Sequence, residues 1–153
     1  NGAVSGAGIA RNATNPNTKQ KPKYWLLNEG EWYTSAYLKP TELTSVAFCS
    51  YPTRSDISPD MTLSDERNLA NYGNIFDGPT EVGFFSECPG PFGTLDQGGN
   101  VREWTESLDS GQYRIIRGGS WADAVDAMKA SESDVADPTF EDDKTGFRIG
   151  GAP

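Results

Sequence analysis

Three short motifs in the last third of the chain constrain its fold more than any other feature. Gly98-Gly99-Asn100-Val101-Arg102-Glu103-Trp104 comes first, then Arg117-Gly118-Gly119-Ser120-Trp121, then Gly146-Phe147-Arg148. Glycine admits positive φ and close backbone approach. The Trp or Phe beside it fills the space that such a turn opens. Three such units, with little room for regular helix between them, predict an irregular, loop-rich α+β domain with a small antiparallel sheet and few helices.

Composition agrees. Only 35% of the 153 residues are hydrophobic, against 17 glycines and 10 prolines. Irregular backbone is favoured over long helices, and the aromatic residues must supply much of the buried area. The formal charge of −9 makes nucleic acid and anionic lipid poor partners. No apolar run approaches the ~18 residues of a membrane-spanning helix, so no membrane insertion is expected. The chain shows no secretory leader pattern. It has no histidine, which removes the commonest general base, the usual zinc ligand and every Ser-His or Cys-His nucleophile.

Along the chain, residues 1–22 differ from the rest. Asn1–Ala10 is rich in small residues and Arg11–Pro22 is polar and basic. They predict an extended N-terminal arm before one domain at residues 23–153. Asn12-Ala13-Thr14 is an N-glycosylation sequon. Asn28 with Glu31 forms a capping-box pattern for a helix that runs to about Leu38 and stops before Pro40. Strands are expected at 45–50, 81–86, 101–105, 113–117 and 146–149, and an exposed acidic loop at 134–145.

In this order, GGNVREW, RGGSW and GFR resemble the formylglycine-generating enzyme family, the sulfatase-modifying factors, whose fold is a variant of the C-type lectin. The resemblance begins near Tyr24-Trp25-Leu26-Leu27-Asn28-Glu29-Gly30-Glu31-Trp32. It includes Tyr51-Pro52-Thr53, Ser55-Asp56 and Pro91-Phe92-Gly93-Thr94-Leu95-Asp96. Family members carry two further helices ahead of that first segment. Their place here is expected to be abbreviated, supplied by another chain, or filled by sequence beyond this one.

The resemblance implies an oxidase that converts a client cysteine to formylglycine, with copper held by two cysteines after the RGGSW segment. The corresponding stretch, Ala122–Ser131, has no cysteine. Soft Cu(I) needs thiolates, and carboxylate or thioether is not equivalent. No copper and no catalytic residues are therefore expected. Cys49 and Cys88 lie elsewhere and are expected to form one disulfide, against the alternatives of two buried thiols and of a relocated metal-binding pair. Closing that loop of about 40 residues contributes about 3–4 kcal/mol.

Calcium is the expected cofactor. Asp96, Gly99, Val101 and Glu103 place two carboxylates and two main-chain carbonyls at i, i+3, i+5 and i+7, the oxygen donors a hard cation takes. The same positions match a structural Ca²⁺ site of the family. The alternative is a turn in which Asp96 caps backbone and Glu103 pairs with an arginine. Asn74 and Ile75 resemble half of a second such site, whose remainder looks shortened. Arg117 and Arg148 are expected to be structural.

The function expected from these readings is a non-catalytic binding or structural module, extracellular or at the cell surface. Its partners would be a protein or glycan ligand, or other copies of itself in an assembly or fibre. Its variable face would be the loops at 121–133 and 134–144. The alternatives are a formylglycine-generating oxidase and a ligand-binding protein similar to the variable proteins of diversity-generating retroelements.

Overall fold

A computed structural model describes residues 11, 14–39, 45–60 and 67–151 of the chain. Strand β1 (Tyr24–Leu26) leads into helix α1 (Glu29–Tyr37). Two short strands follow, β2 (Leu38–Lys39) and β3 (Ala47–Phe48), and the described residues between β3 and the next strand are irregular. The principal hairpin is β4 (Arg102–Asp109) with β5 (Tyr113–Arg117). A 3₁₀ turn at Val125–Met128 precedes β6 (Asp134–Ala136), β7 (Thr145–Phe147) and β8 (Ile149–Gly151).

Helix α1 begins where the capping box predicts. The Glu31 N–H donates to Asn28 Oδ1 at 2.8 Å, and the Asn28 N–H donates to Glu31 Oε2 at 3.1 Å. Trp32 and Ala36, four residues apart, share a face with Tyr37 beside them, and all three are buried. Transfer of a ring such as that of Trp32 or Tyr37 from water contributes roughly 4–6 kcal/mol each. The Tyr37 hydroxyl donates to the Met128 carbonyl at 2.9 Å, tying the helix to the 3₁₀ turn. Met128 is fully buried with Tyr51, Ala70 and Tyr72 in a second cluster. A third cluster joins Leu69, Phe85 and Cys88.

The main sheet has the order β6-β5-β4-β7. β4 and β5 pair antiparallel, with Glu103 opposite Arg117 and Trp104 opposite Ile116, and an irregularity between Trp104 and Leu108. β6 joins β5 antiparallel, so part of the expected acidic loop is an edge strand. β7 lies parallel to β4, Glu103 opposite Gly146, which corrects the expectation of a purely antiparallel sheet. The single strand expected at 146–149 is divided between two sheets. β7 belongs to the main sheet, while β8 pairs with β1, Leu26 opposite Ile149. The break falls at Arg148, whose side chain turns toward Glu103.

Two other expected strands differ. Residues 81–86 form turns: Gly83 has φ +80°, and the Phe84 N–H donates to the Glu81 carbonyl at 3.0 Å. Phe84 stacks edge-on against Phe76 and Phe85, so the apolar run is satisfied by ring contacts rather than by a ladder. The strand expected at 45–50 is reduced to Ala47–Phe48. In the expected arm, Asn15 Oδ1 accepts from the N–H groups of Asn17 and Thr18, closing an exposed turn. Asn1–Ala10 and the sequon residue Asn12 lie outside the described residues.

Candidate functional site

The three glycine-aromatic motifs assemble into one unit. The Gly99 N–H donates to the Gly118 carbonyl at 2.8 Å, and the Trp121 N–H donates to the Asn100 carbonyl at 2.8 Å. Gly99 sits at φ +70°, and a Cβ there would stand 2.2 Å from the Asn71 carbonyl oxygen. No other residue fits this crossing. The first and second motifs are thus held backbone to backbone.

Glu103 joins the third. Its carboxylate, in a residue only 5% exposed, takes Arg148 in a two-pronged pair, Nε to Oε2 at 2.9 Å and Nη2 to Oε1 at 2.8 Å. The Trp32 indole N–H donates to Oε2 at 2.6 Å. Arg148 Nη2 also donates to the Leu95 carbonyl at 2.7 Å. One buried carboxylate therefore links β4, helix α1 and the β7–β8 junction. Such a charge is tolerable only because its partners are in place. The role of Trp32 had no signal in the sequence, since it depends on a contact across 71 positions.

Asp96 has φ +57°, and its Oδ2 accepts from the Gly83 N–H at 2.7 Å. Both carboxylates of the expected calcium set thus have partners within the chain. The donor types nevertheless suit a hard cation. Asp96 Oδ1 makes no hydrogen bond among the described residues, and Gly99 and Val101 lie in the turn between Asp96 and Glu103. A cation there would share Glu103 with Arg148. No group of three or more His, Cys, Asp or Glu side chains that could hold a metal occurs among the described residues. Asn74 of the expected half-site instead donates its side-chain amide to the Ala122 carbonyl at 3.4 Å.

Arg117 is structural, as expected. It donates through Nε and Nη2 to Glu29 Oε1 at 3.0 and 2.6 Å, and through Nη1 to the carbonyls of Ala130 and Glu132. Its guanidinium lies over the Tyr33 ring at 5.2 Å. Arg102 plays a similar part that the sequence did not single out. It reaches Asp123 and Asp142 at 3.5 Å and Asp134 at 3.9 Å, gathering the loops after the second motif.

The stretch Ala122–Ser131 is a packing element. Asp123 Oδ2 accepts from the Ser120 N–H and hydroxyl at 2.8 and 2.7 Å, and Met128 fills the core. The expected disulfide is not formed: Cys49 and Cys88 are separate buried thiols. The physical reason is placement. Cys88 packs with Leu69 and Phe85, and its Sγ accepts from the Leu69 N–H at 3.1 Å. Cys49 follows β3, its N–H donating to the Tyr37 carbonyl. Burial, helped by the Asp56 charge, pushes the Cys49 thiol above its ordinary range. A cleft of about 210 Å³ opens beside Arg102, between Gly119 and Glu132. A larger one, about 450 Å³, lies against Tyr33, Phe48, Tyr51 and Ser131.

Comparison with known proteins agrees with this frame. The profile of the Sulfatase-modifying factor enzyme 1-like domain matches residues 10–150. No curated protein matches the chain. Among solved structures, Treponema denticola variable protein 1 is similar at 25% identity and a TM-score of 0.60, over 85% of this chain and 48% of that one. PvdO from Pseudomonas aeruginosa is similar at 22% identity and a TM-score of 0.59, over 87% and 53%. CarF is similar at 23% identity and a TM-score of 0.54, over 91% and 50%. The chain spans about half the length of these structures. With its three motifs locked together around Glu103 and nearly all of its length matched, this chain belongs to the sulfatase-modifying factor enzyme 1-like domain family.

Proposed function

We propose that this chain is a non-catalytic binding module on the family's fold, acting at the cell surface or outside the cell. The observation that carries this reading is the stretch Ala122–Ser131. It holds no thiol, and its polar and sulfur-bearing side chains are spent on structure, Asp123 on Ser120 and Met128 in the core. Paired thiolates, which Cu(I) requires, have no source there. Cys49 and Cys88 do not replace them, since they lie in separate buried settings and the thiol of Cys49 resists ionisation.

The partner is a protein or glycan ligand, or another copy of the chain. Self-association is favoured by exposed Tyr24, Phe147 and Ile149 on β1, β7 and β8. A diversified ligand-binding protein is a special case of this reading, which the likeness to variable protein 1 supports. The structural cofactor we propose is one Ca²⁺ held by the Asp96 and Glu103 side chains and the carbonyls of Gly99 and Val101. It would brace the turn ahead of β4. Asn12 is a glycosylation acceptor in that setting.

The alternative is a formylglycine-generating oxidase. Incubation of the chain with copper, oxygen and a cysteine-containing sulfatase peptide should leave the peptide unchanged by mass spectrometry. Formylglycine formed with turnover would overturn the non-catalytic reading.

A further inference from the structure

We propose that the larger cleft, beside β3, is a binding site for an uncharged saccharide, recognised without a metal ion. This rests on the binding-module reading and names the ligand class. The cleft has about 450 Å³, within the range of small-ligand sites. It lies between Tyr33 in the middle of α1, Phe48 of β3 with the chain that follows it, and residues Lys129–Ser131. Hydrogen bonding from the Ala130 N–H to the Ser50 carbonyl at 2.9 Å joins two of these walls.

Its charges are already compensated. Asp56 takes the Lys39 ammonium at 2.7 Å and the Ser50 N–H at 3.0 Å. Lys129 is paired with Asp126 at 2.8 Å. Among the described lining residues an ionic ligand thus finds no open counter-charge. What remains is hydroxyl and ring. Tyr33, Tyr51 and Ser58 line the cleft, and their hydroxyls make no hydrogen bond among the described residues. Each donates one hydrogen bond and accepts up to two, which matches a ligand whose own groups both donate and accept.

The ring is Phe48. It is 42% exposed, yet it is held edge-on against Tyr33 at 5.0 Å, and Tyr33 is itself fixed between Tyr37 and the Arg117 guanidinium. An exposed but immobilised ring loses little entropy on binding. The C–H face of a pyranose fits such a ring, while its hydroxyls fit the polar side chains that line the rest of the cleft. A peptide would ask for charge partners or a ladder of main-chain groups, and neither dominates this lining.

The test is NMR titration of the isotope-labelled 153-residue chain, in EDTA, with methyl glucoside, methyl mannoside and methyl galactoside separately. At least one should give saturable shifts centred on Phe48, Tyr33 and Ser58. Phe48→Ala should weaken binding about tenfold, the scale of one aromatic contact. Ser58→Ala, at an exposed position that leaves the core intact, should weaken it about threefold. Failure of all three glycosides overturns the proposal. So does binding that vanishes in EDTA, or shifts centred elsewhere, or occupation of the cleft by an aromatic peptide alone. Turnover of the cysteine peptide would overturn the module reading instead, whatever the titration showed.

Discussion

Glu103 concentrates more of this fold's stability than its single charge suggests. Three donors on two distant segments hold it, and removing one leaves a carboxylate that water reaches poorly. Arg148→Ala should therefore destabilise the chain by about 3–5 kcal/mol, read from the midpoint of urea denaturation. Glu103→Gln in the same assay should cost less than Arg148→Ala, because the Arg148 cation it leaves unpaired is a fifth exposed and keeps the Leu95 carbonyl, whereas the Glu103 carboxylate is almost wholly buried. The neighbouring Asp96 tests the proposed calcium. A chelator should lower the melting temperature of the unaltered chain and leave that of Asp96→Ala unchanged. Equal responses of the two would remove the metal from the account. The alternative read from the sequence, with Asp96 on backbone and Glu103 paired with an arginine, is the arrangement found; which arginine it is, Arg148, was decided by the fold.

Among the elements, α1 is the one whose boundaries follow from local chemistry. Its capping box is present on both sides, and a buried Trp-Ala-Tyr set lies along one face. Asn28→Ala should cost about 1 kcal/mol and fray the first turn, seen as earlier thermal unfolding and faster amide exchange at Gly30 and Glu31. The strands expected at 101–105 and 113–117 were legible in part: they pair antiparallel, but β4 runs on to Asp109, and the turn that closes the hairpin, with Ser110 and Gly111 at positive φ, was not read from the sequence. The expected strand at 81–86 did not form. An apolar run of that length reads as a strand, but whether it finds a ladder partner or a ring partner is decided by segments far away. The Phe76–Phe84–Phe85 contacts decided for turns.

For the whole molecule, the proposal is a frame that presents loops rather than a catalyst. Arg102 and Arg117 anchor the segment after the second motif at several points, so the loops at 121–144 sit on a braced base. The assembly half of the proposal belongs at this scale. An arm of small residues such as Asn1–Ala10 can add to a sheet edge of a neighbouring copy, so deleting residues 1–12 should convert an oligomer into monomers without changing the denaturation midpoint, measured by light scattering and circular dichroism. A full chain that stays monomeric at high concentration would leave only the binding half standing.

Some of this was settled by residue types in their order along the chain. Glycines at 98–99 and 118–119 dictate crossings where no side chain fits. The Asn28–Glu31 pair starts the helix, and the absence of cysteine between 122 and 131 removes paired thiolates from that stretch. These are local constraints, so sequence alone carries them. The parallel placement of β7, the division at Arg148, the separate burial of Cys49 and Cys88, and the cleft beside Phe48 were decided by tertiary structure. Each depends on which distant segments meet. Packing and charge burial across the whole chain set those meetings, and neither propensity nor spacing within a segment encodes them.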